Sequence, residues 1–129
     1  MNMSFEIIFT DKAPQPTALY SQATKFGKFL FTAGQIPHSP KSGEIVGSTI
    51  EEQTRQTLEN LKNLLESAGY SLSDVLKVLI FLKRTDDFAG MNRVYSEYFK
   101  TNPPARSTVQ AEMMNPKLLI ELEAVACKN

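Results

Sequence analysis

Apolar positions in this chain switch between a period of two and a period of about 3.6, and the switches mark out its elements. Phe5-Glu6-Ile7-Ile8-Phe9 is a short apolar run able to pair as a strand, within a first segment (1–27) otherwise rich in Pro, Thr, Ser and Gln. From Lys28 to Ala33 the residues alternate, with Phe29, Phe31 and Ala33 on one face and Leu30 and Thr32 on the other. The stretch Gly34 to Gly47 carries Pro37, Pro40 and Gly43 and reads as a loop with a turn at Ser42-Gly43. A helix follows, capped by Ser48 or Thr49 with Glu51 or Glu52 as the capping-box partner. Its apolar face runs Ile50, Thr54, Leu58, Leu61, Leu65 and Ala68, and Gly69 ends it.

Val75 to Lys83 is a strand with apolar residues on both faces, Val78, Ile80 and Leu82 on one and Leu79 and Phe81 on the other. Thr85 to Lys100 has Phe88, Met91, Tyr95, Tyr98 and Phe99 at helical spacing and must stop before Pro103. These aromatics read as core. Two strands close the chain, about Ser107 to Met113 and Leu118 to Ala126, with a turn at Asn115-Pro116. The pattern predicts one α+β domain over residues 1–129, a mixed sheet with two helices packed on one face. Two helices cannot cover both faces of such a sheet. The leftover apolar face predicts self-association, most simply a closed ring of like subunits.

Composition narrows the classes. Fourteen basic residues balance fourteen acidic ones and no Lys/Arg-rich run occurs, which argues against a dedicated nucleic-acid binder. The single cysteine, Cys127, cannot form an internal disulfide, and only His38 is left to join it at a metal, so no metal site is expected. No leader pattern and no apolar run long enough to cross a bilayer is present, so the expectation is a cytoplasmic protein without a membrane partner.

The candidate chemistry begins at Asn102-Pro103-Pro104-Ala105-Arg106-Ser107, which sets one arginine at the mouth of a strand. A guanidinium is a permanently charged, planar fork of donors that fits a carboxylate. In the last strand Glu121 and Glu123 share a face by the two-residue period, and either can serve a site; Glu121 is preferred by register. A carboxylate among Leu119, Val125 and other apolar side chains has its charged form disfavoured, which moves it toward acid–base work. Ser21 and Thr108 lack a histidine partner in sequence and are poor nucleophiles. His38 reads as an exposed loop histidine.

Five segments in order carry a resemblance: Ala18-Leu19-Tyr20-Ser21-Gln22, Phe31-Thr32-Ala33-Gly34-Gln35-Ile36-Pro37, Asn92, Pro104-Ala105-Arg106-Ser107 and Ile120-Glu121-Leu122-Glu123-Ala124. Over essentially its whole length the chain resembles the Rid family of reactive-intermediate deaminases, also called the YjgF or L-PSP group. The resemblance implies a chorismate-mutase-like fold and a homotrimer with three clefts between neighbouring subunits. It implies hydrolysis of enamines and imines such as 2-aminoacrylate to 2-keto acids and ammonia, with no cofactor and no metal. By the same resemblance Arg106 would grip the substrate carboxylate with help from the backbone N–H of Gly34, and Glu121 would orient or activate water. Tyr20 would enter the cleft from the adjacent subunit or only pack the seam. Phe88 and Asn92 would shape the wall, Asn92 serving equally well as a local hydrogen-bonding residue. Two positions depart from the family pattern: Ala33 stands where serine is usual, and Thr108 where cysteine is common. Cys127 lies elsewhere and does not replace that thiol. Two other readings fit the same cleft, a non-catalytic sensor of 2-keto acids or small carboxylates and, less well, a ribonuclease or translation inhibitor.

Overall fold

The alternating runs become one mixed sheet. In the computed structural model, which describes residues 4–129, the strands are β1 (Glu6–Ile8), β2 (Ala23–Phe26), β3 (Phe29–Thr32), β4 (Val75–Leu82), β5 (Ala105–Gln110) and β6 (Ile120–Cys127). Their spatial order is β1-β2-β3-β6-β4-β5. Only β4 and β5 run parallel, connected through helix α2 (Phe88–Tyr98), while helix α1 (Ile50–Ser67) lies between β3 and β4 in the chain. The α+β class with helices on one face is as expected.

Strand parity sorts the side chains. Leu30, Val78, Ile80, Leu82, Ile120, Leu122, Ala124 and Ala126 are buried with Leu58, Leu61, Leu64 and Leu65 of α1 and with Met91 and Tyr95 of α2. The opposite face carries Phe29 and Phe31, 45% and 47% exposed and stacked at 6.5 Å, with half-buried Leu79, Phe81 and Val125 beside them. No helix covers it. Thr49 caps α1 by accepting from the Glu52 N–H, and the Glu52 carboxylate accepts from the Thr49 N–H in return, which satisfies donors that a helix start leaves orphaned. Past its end, Gly69 adopts φ +84°, a conformation costly for any residue with a Cβ.

Three elements depart from the sequence reading. β2 falls in the segment treated as irregular: Ala-Thr-Lys-Phe has little apolar alternation, and it is held as a strand by pairing to β3 across the two-residue turn Gly27-Lys28, where Gly27 takes φ +59°. β5 begins at Ala105 and ends at Gln110, so Arg106 sits inside a strand rather than at its mouth; its backbone is recruited by β4, which an edge strand's own polar sequence does not announce. The second helix is preceded by a tight 3-10 turn at Thr85–Asp87, and Phe88 at its start is 46% exposed, outside the core to which its spacing assigned it.

Buried amide side chains fasten the loops to this frame. Gln22 accepts from the Thr10 N–H at 2.7 Å and donates to the carbonyls of Thr10 and Pro14, fixing the irregular segment that carries Tyr20. Asn60 on α1 donates to the carbonyls of Ile36 and His38. Gln53 donates to Gly47 and Lys117 and accepts from the Leu119 N–H at 2.8 Å, tying the turn before β6 to α1. The bonds of Gln22 to Thr10 and of Gln53 to Leu119 are buried, where a main-chain group left unpaired costs about 1–3 kcal/mol.

The helices meet closely at Gly90, where a Cβ would lie 2.6 Å from Cγ2 of Ile50 and 3.0 Å from a carboxylate oxygen of Glu51. Glycine inside a helix normally costs about 0.5–1 kcal/mol against alanine. Here the sign is expected to reverse: Gly90→Ala forces α2 off α1 and destabilises the chain by about 1–3 kcal/mol. Denaturant unfolding checks this, and a stabilised variant would show that α2 can shift at this contact without losing its packing.

Candidate active site

The site residues read from the sequence fall into two groups on opposite faces of the sheet. The first gathers where β3 leaves β6. Phe31 faces Val125, yet Gln35 faces Leu122, so four residues on the β3 side span three on β6. The extra residue makes a bulge at 32–34. The Thr32 hydroxyl accepts from the Ala124 N–H at 3.0 Å within it, and Gln35 and Leu122 exchange both main-chain hydrogen bonds beyond it. The bulge presses the Gly34 backbone against the Glu121 carboxylate so closely that a Cβ at 34 would overlap it. Among the described residues the Gly34 N–H has no hydrogen-bond partner.

Tyr20, 51% exposed, shares a recess of about 70 Å³ with Ala33 and Gly34. Glu121 also lines a second recess with Phe81, Met113 and Met114. Burial pushes the Glu121 carboxyl above the ordinary carboxylate range, and the negative charge of Glu123 adds to the shift. Glu123 on the same face is exposed.

The second group lies under α2. Arg106 and Thr108 point to the helix side of β5, in register with Val78 and Ile80. The Arg106 guanidinium carbon stands 4.8 Å from the centre of the Tyr95 ring and 5.8 Å from that of Phe88. Asn92, one helical turn after Phe88 and three residues before Tyr95, lies on the same flank of α2. Phe88 and Thr108 line a cleft of about 310 Å³ with Leu82, Thr85, Val109 and Gln110. The hydroxyls of Thr108 and Tyr95 are buried without a hydrogen-bond partner among the described residues.

Within one copy the groups do not meet. Arg106 aligns through Val78 with Ala124, three residues from Glu121 on β6, and its parity is opposite to that of Glu121. The sequence reading missed Tyr95 as a neighbour of Arg106, because its helical spacing matches a core residue equally well, and it missed Met113 and Met114, which no motif marks. His38 is not the exposed loop residue expected. It is half-buried with Nε2 inaccessible, and burial lowers its pKa against the opposing charge of Glu44. Cys127 pairs with Phe29 at the far end of β6. A larger cleft, about 670 Å³ between the Gly43–Ser48 loop, Lys83-Arg84 and Asn115–Lys117, contains none of the predicted site residues. Among the described residues no three His, Cys, Asp or Glu side chains converge as metal ligands do, and no helix is long and apolar enough to cross a membrane.

Residues 10–128 match the family described as Endoribonuclease L-PSP. A RutC family protein of Pyrococcus horikoshii is 57% identical over 95% of this chain and 98% of its own. TdcF of Escherichia coli, provisionally named a reactive intermediate deaminase, is 36% identical over 96% of this chain and 98% of its own. Among solved structures, a Thermotoga maritima protein provisionally described as an endoribonuclease superposes with a TM-score of 0.92 at 47% identity, covering 96% of this chain and 98% of that one. TdcF of Escherichia coli with bound serine does so with a TM-score of 0.91 at 36% identity, covering 96% and 99%. With its bulged Thr32-Ala33-Gly34 against Glu121 and its Arg106 under α2, this chain therefore belongs to the Rid (YjgF/L-PSP) family.

Proposed function

We propose that this protein hydrolyses enamines and imines of the 2-aminoacrylate type to 2-keto acids and ammonia, at clefts completed by two copies in a homotrimer. The observation that carries the reading is the Arg106 guanidinium, placed against two aromatic rings beside the cleft that Phe88 and Thr108 line, and a guanidinium fork is the donor that suits a small carboxylate. The bound serine of TdcF, itself a small carboxylate, supports that ligand class. An exposed apolar sheet face and two half-sites on opposite faces support the assembly, in which Arg106 of one copy meets Tyr20, Gly34 and Glu121 of the next.

The chemistry then follows from positions. The enamine takes a proton from solvent at its terminal carbon and returns one from its nitrogen, which makes it the imine. Arg106 and the Gly34 N–H hold the carboxylate. Water forms the new C–O bond, giving one proton to the Glu121 carboxylate, which passes it to the nitrogen. The carbinolamine hydroxyl then gives its proton to the nitrogen by way of Glu121, the C=O bond forms, and the C–N bond breaks to release keto acid and ammonia. Free imines hydrolyse in water unaided, so positioning and one base suffice. Without Ser at 33 or Cys at 108, no covalent nucleophile is required.

Arg106→Ala is expected to lose about 1.5–3 kcal/mol of carboxylate binding, raising KM roughly ten- to a hundredfold. Glu121→Gln is expected to lower kcat by about two orders of magnitude or more. Co-expressed in equal parts, the two variants test the composite site. Random mixing in a ring pairs an intact Arg106 with an intact Glu121 in about one cleft in four, so roughly a quarter of wild-type turnover should return. Keto-acid release from 2-aminoacrylate generated in place is the assay. No recovery in verified mixed oligomers would mean that both residues serve from the same copy. No turnover by folded wild-type protein would leave a carboxylate-binding sensor as the better reading.

The pH profile supplies a separate check. Because Glu121 must be ionised and its pKa is raised, the acid limb of kcat/KM should lie above the ordinary carboxylate range, with activity falling as pH drops through it. Glu123→Gln removes the like charge and should move that limb to lower pH. Glu121→Gln should abolish the limb in the residual activity, and a limb that persists there would show that Glu121 is not the titrating base.

A further inference from the structure

We propose that Tyr95 is the positioning residue for Arg106, its ring face fixing the guanidinium while leaving the in-plane N–H donors free for a ligand; this rests on the carboxylate-binding role of Arg106 proposed above. A long side chain on an edge strand needs something to hold it, because ordering an arginine costs rotamer entropy. The usual holder is an acid. The ion pairs among the described residues are Arg55–Glu97, Lys62–Glu59, Arg84–Asp87 and Arg93–Glu51, and Arg106 is in none of them. An acidic partner would occupy the fork that a substrate carboxylate requires. An aromatic face attracts the charge through its ring quadrupole, and a guanidinium stacked on it keeps its in-plane donors for the ligand.

Of the two rings in reach, Tyr95 is the closer at 4.8 Å and the firmer. It is 6% exposed and packs on Phe99 at 4.7 Å, whereas Phe88 is 46% exposed and free to give way. Its helix is in turn fastened to α1 by the close approach at Gly90, the Arg93–Glu51 pair and the Tyr98 hydroxyl donating to Glu59 at 2.7 Å. The Tyr95 hydroxyl lies within reach of the Arg106 guanidinium but makes no well-directed hydrogen bond among the described residues, and burial keeps the phenol protonated against that cation. The ring, not the hydroxyl, is the working part.

The test keeps the shape of the side chain and varies only its π-face. Position 95 is replaced by phenylalanine and by phenylalanines bearing one, two and three ring fluorines, in the full chain, with and without Arg106→Ala. The dissociation constant of 2-oxobutanoate, a non-reacting carboxylate, is read for each, together with KM and kcat. Tyr95→Phe should bind within about twofold of wild type, and affinity should fall stepwise with fluorination, by about two- to thirtyfold at three fluorines. KM should rise in parallel while kcat holds, and the series should be flat in the Arg106→Ala background. Affinity that ignores fluorination, or follows it equally without Arg106, would overturn the role of Tyr95. Equal 2-oxobutanoate binding by wild type and Arg106→Ala would instead overturn the carboxylate reading of Arg106 on which it stands.

Discussion

Helices on only one side of a six-stranded sheet leave the other side to be dealt with, and most features of this molecule follow from that shortage. Leu30, Val78, Ile80 and Leu122 find α1 and α2, and are fully buried. Phe29, Phe31, Leu79, Phe81 and Val125 on the other face find no helix, and the two phenylalanines nearest β1 stand about half exposed. Contiguous apolar surface of this kind is a liability for a free chain and an asset for an assembling one. The same division sends the two proposed site residues to different sides, Arg106 under α2 and Glu121 onto the open face.

Each half carries an uncompensated charge. Glu121 is half-buried, has Glu123 rather than a cation as its charged neighbour on the strand, and rests against a glycine backbone. Arg106 has aromatic faces but no acid. Partly buried charges without partners cost stability, and a fold tolerates them where a ligand or a second surface completes them. Because the protonated form of Glu121 is favoured in the folded chain, its contribution to stability worsens as pH rises above the unfolded carboxylate value and is restored below it.

The sequence made part of this legible. The capping box at Thr49 and Glu52, the stop at Gly69 and the two-sided β4 are local signals, written in residues that meet each other within a few positions. Gly34 and Arg106 were visible as motif residues. The bulge that sets Gly34 on Glu121 was not, since it exists only in the offset between Phe31–Val125 and Gln35–Leu122 across distant strands. Tyr95 looked like any core aromatic, and β2 and the start of β5 were hidden because edge and hairpin strands take their conformation from partners.

What the sequence by itself determined is the set of elements, the α+β class, the one-sided helix cover and the residue types able to bind a small carboxylate, because periodicity, capping and turn chemistry act over short stretches of chain. Tertiary structure alone decided which of those residues meet. Strand order and register placed Arg106 and Glu121 on opposite faces two strands apart, and α2 brought Tyr95 beneath the guanidinium. Side-chain parity is fixed by local conformation, but the neighbour across a strand is fixed by pairing between residues far apart in the chain, and no short-range signal encodes it.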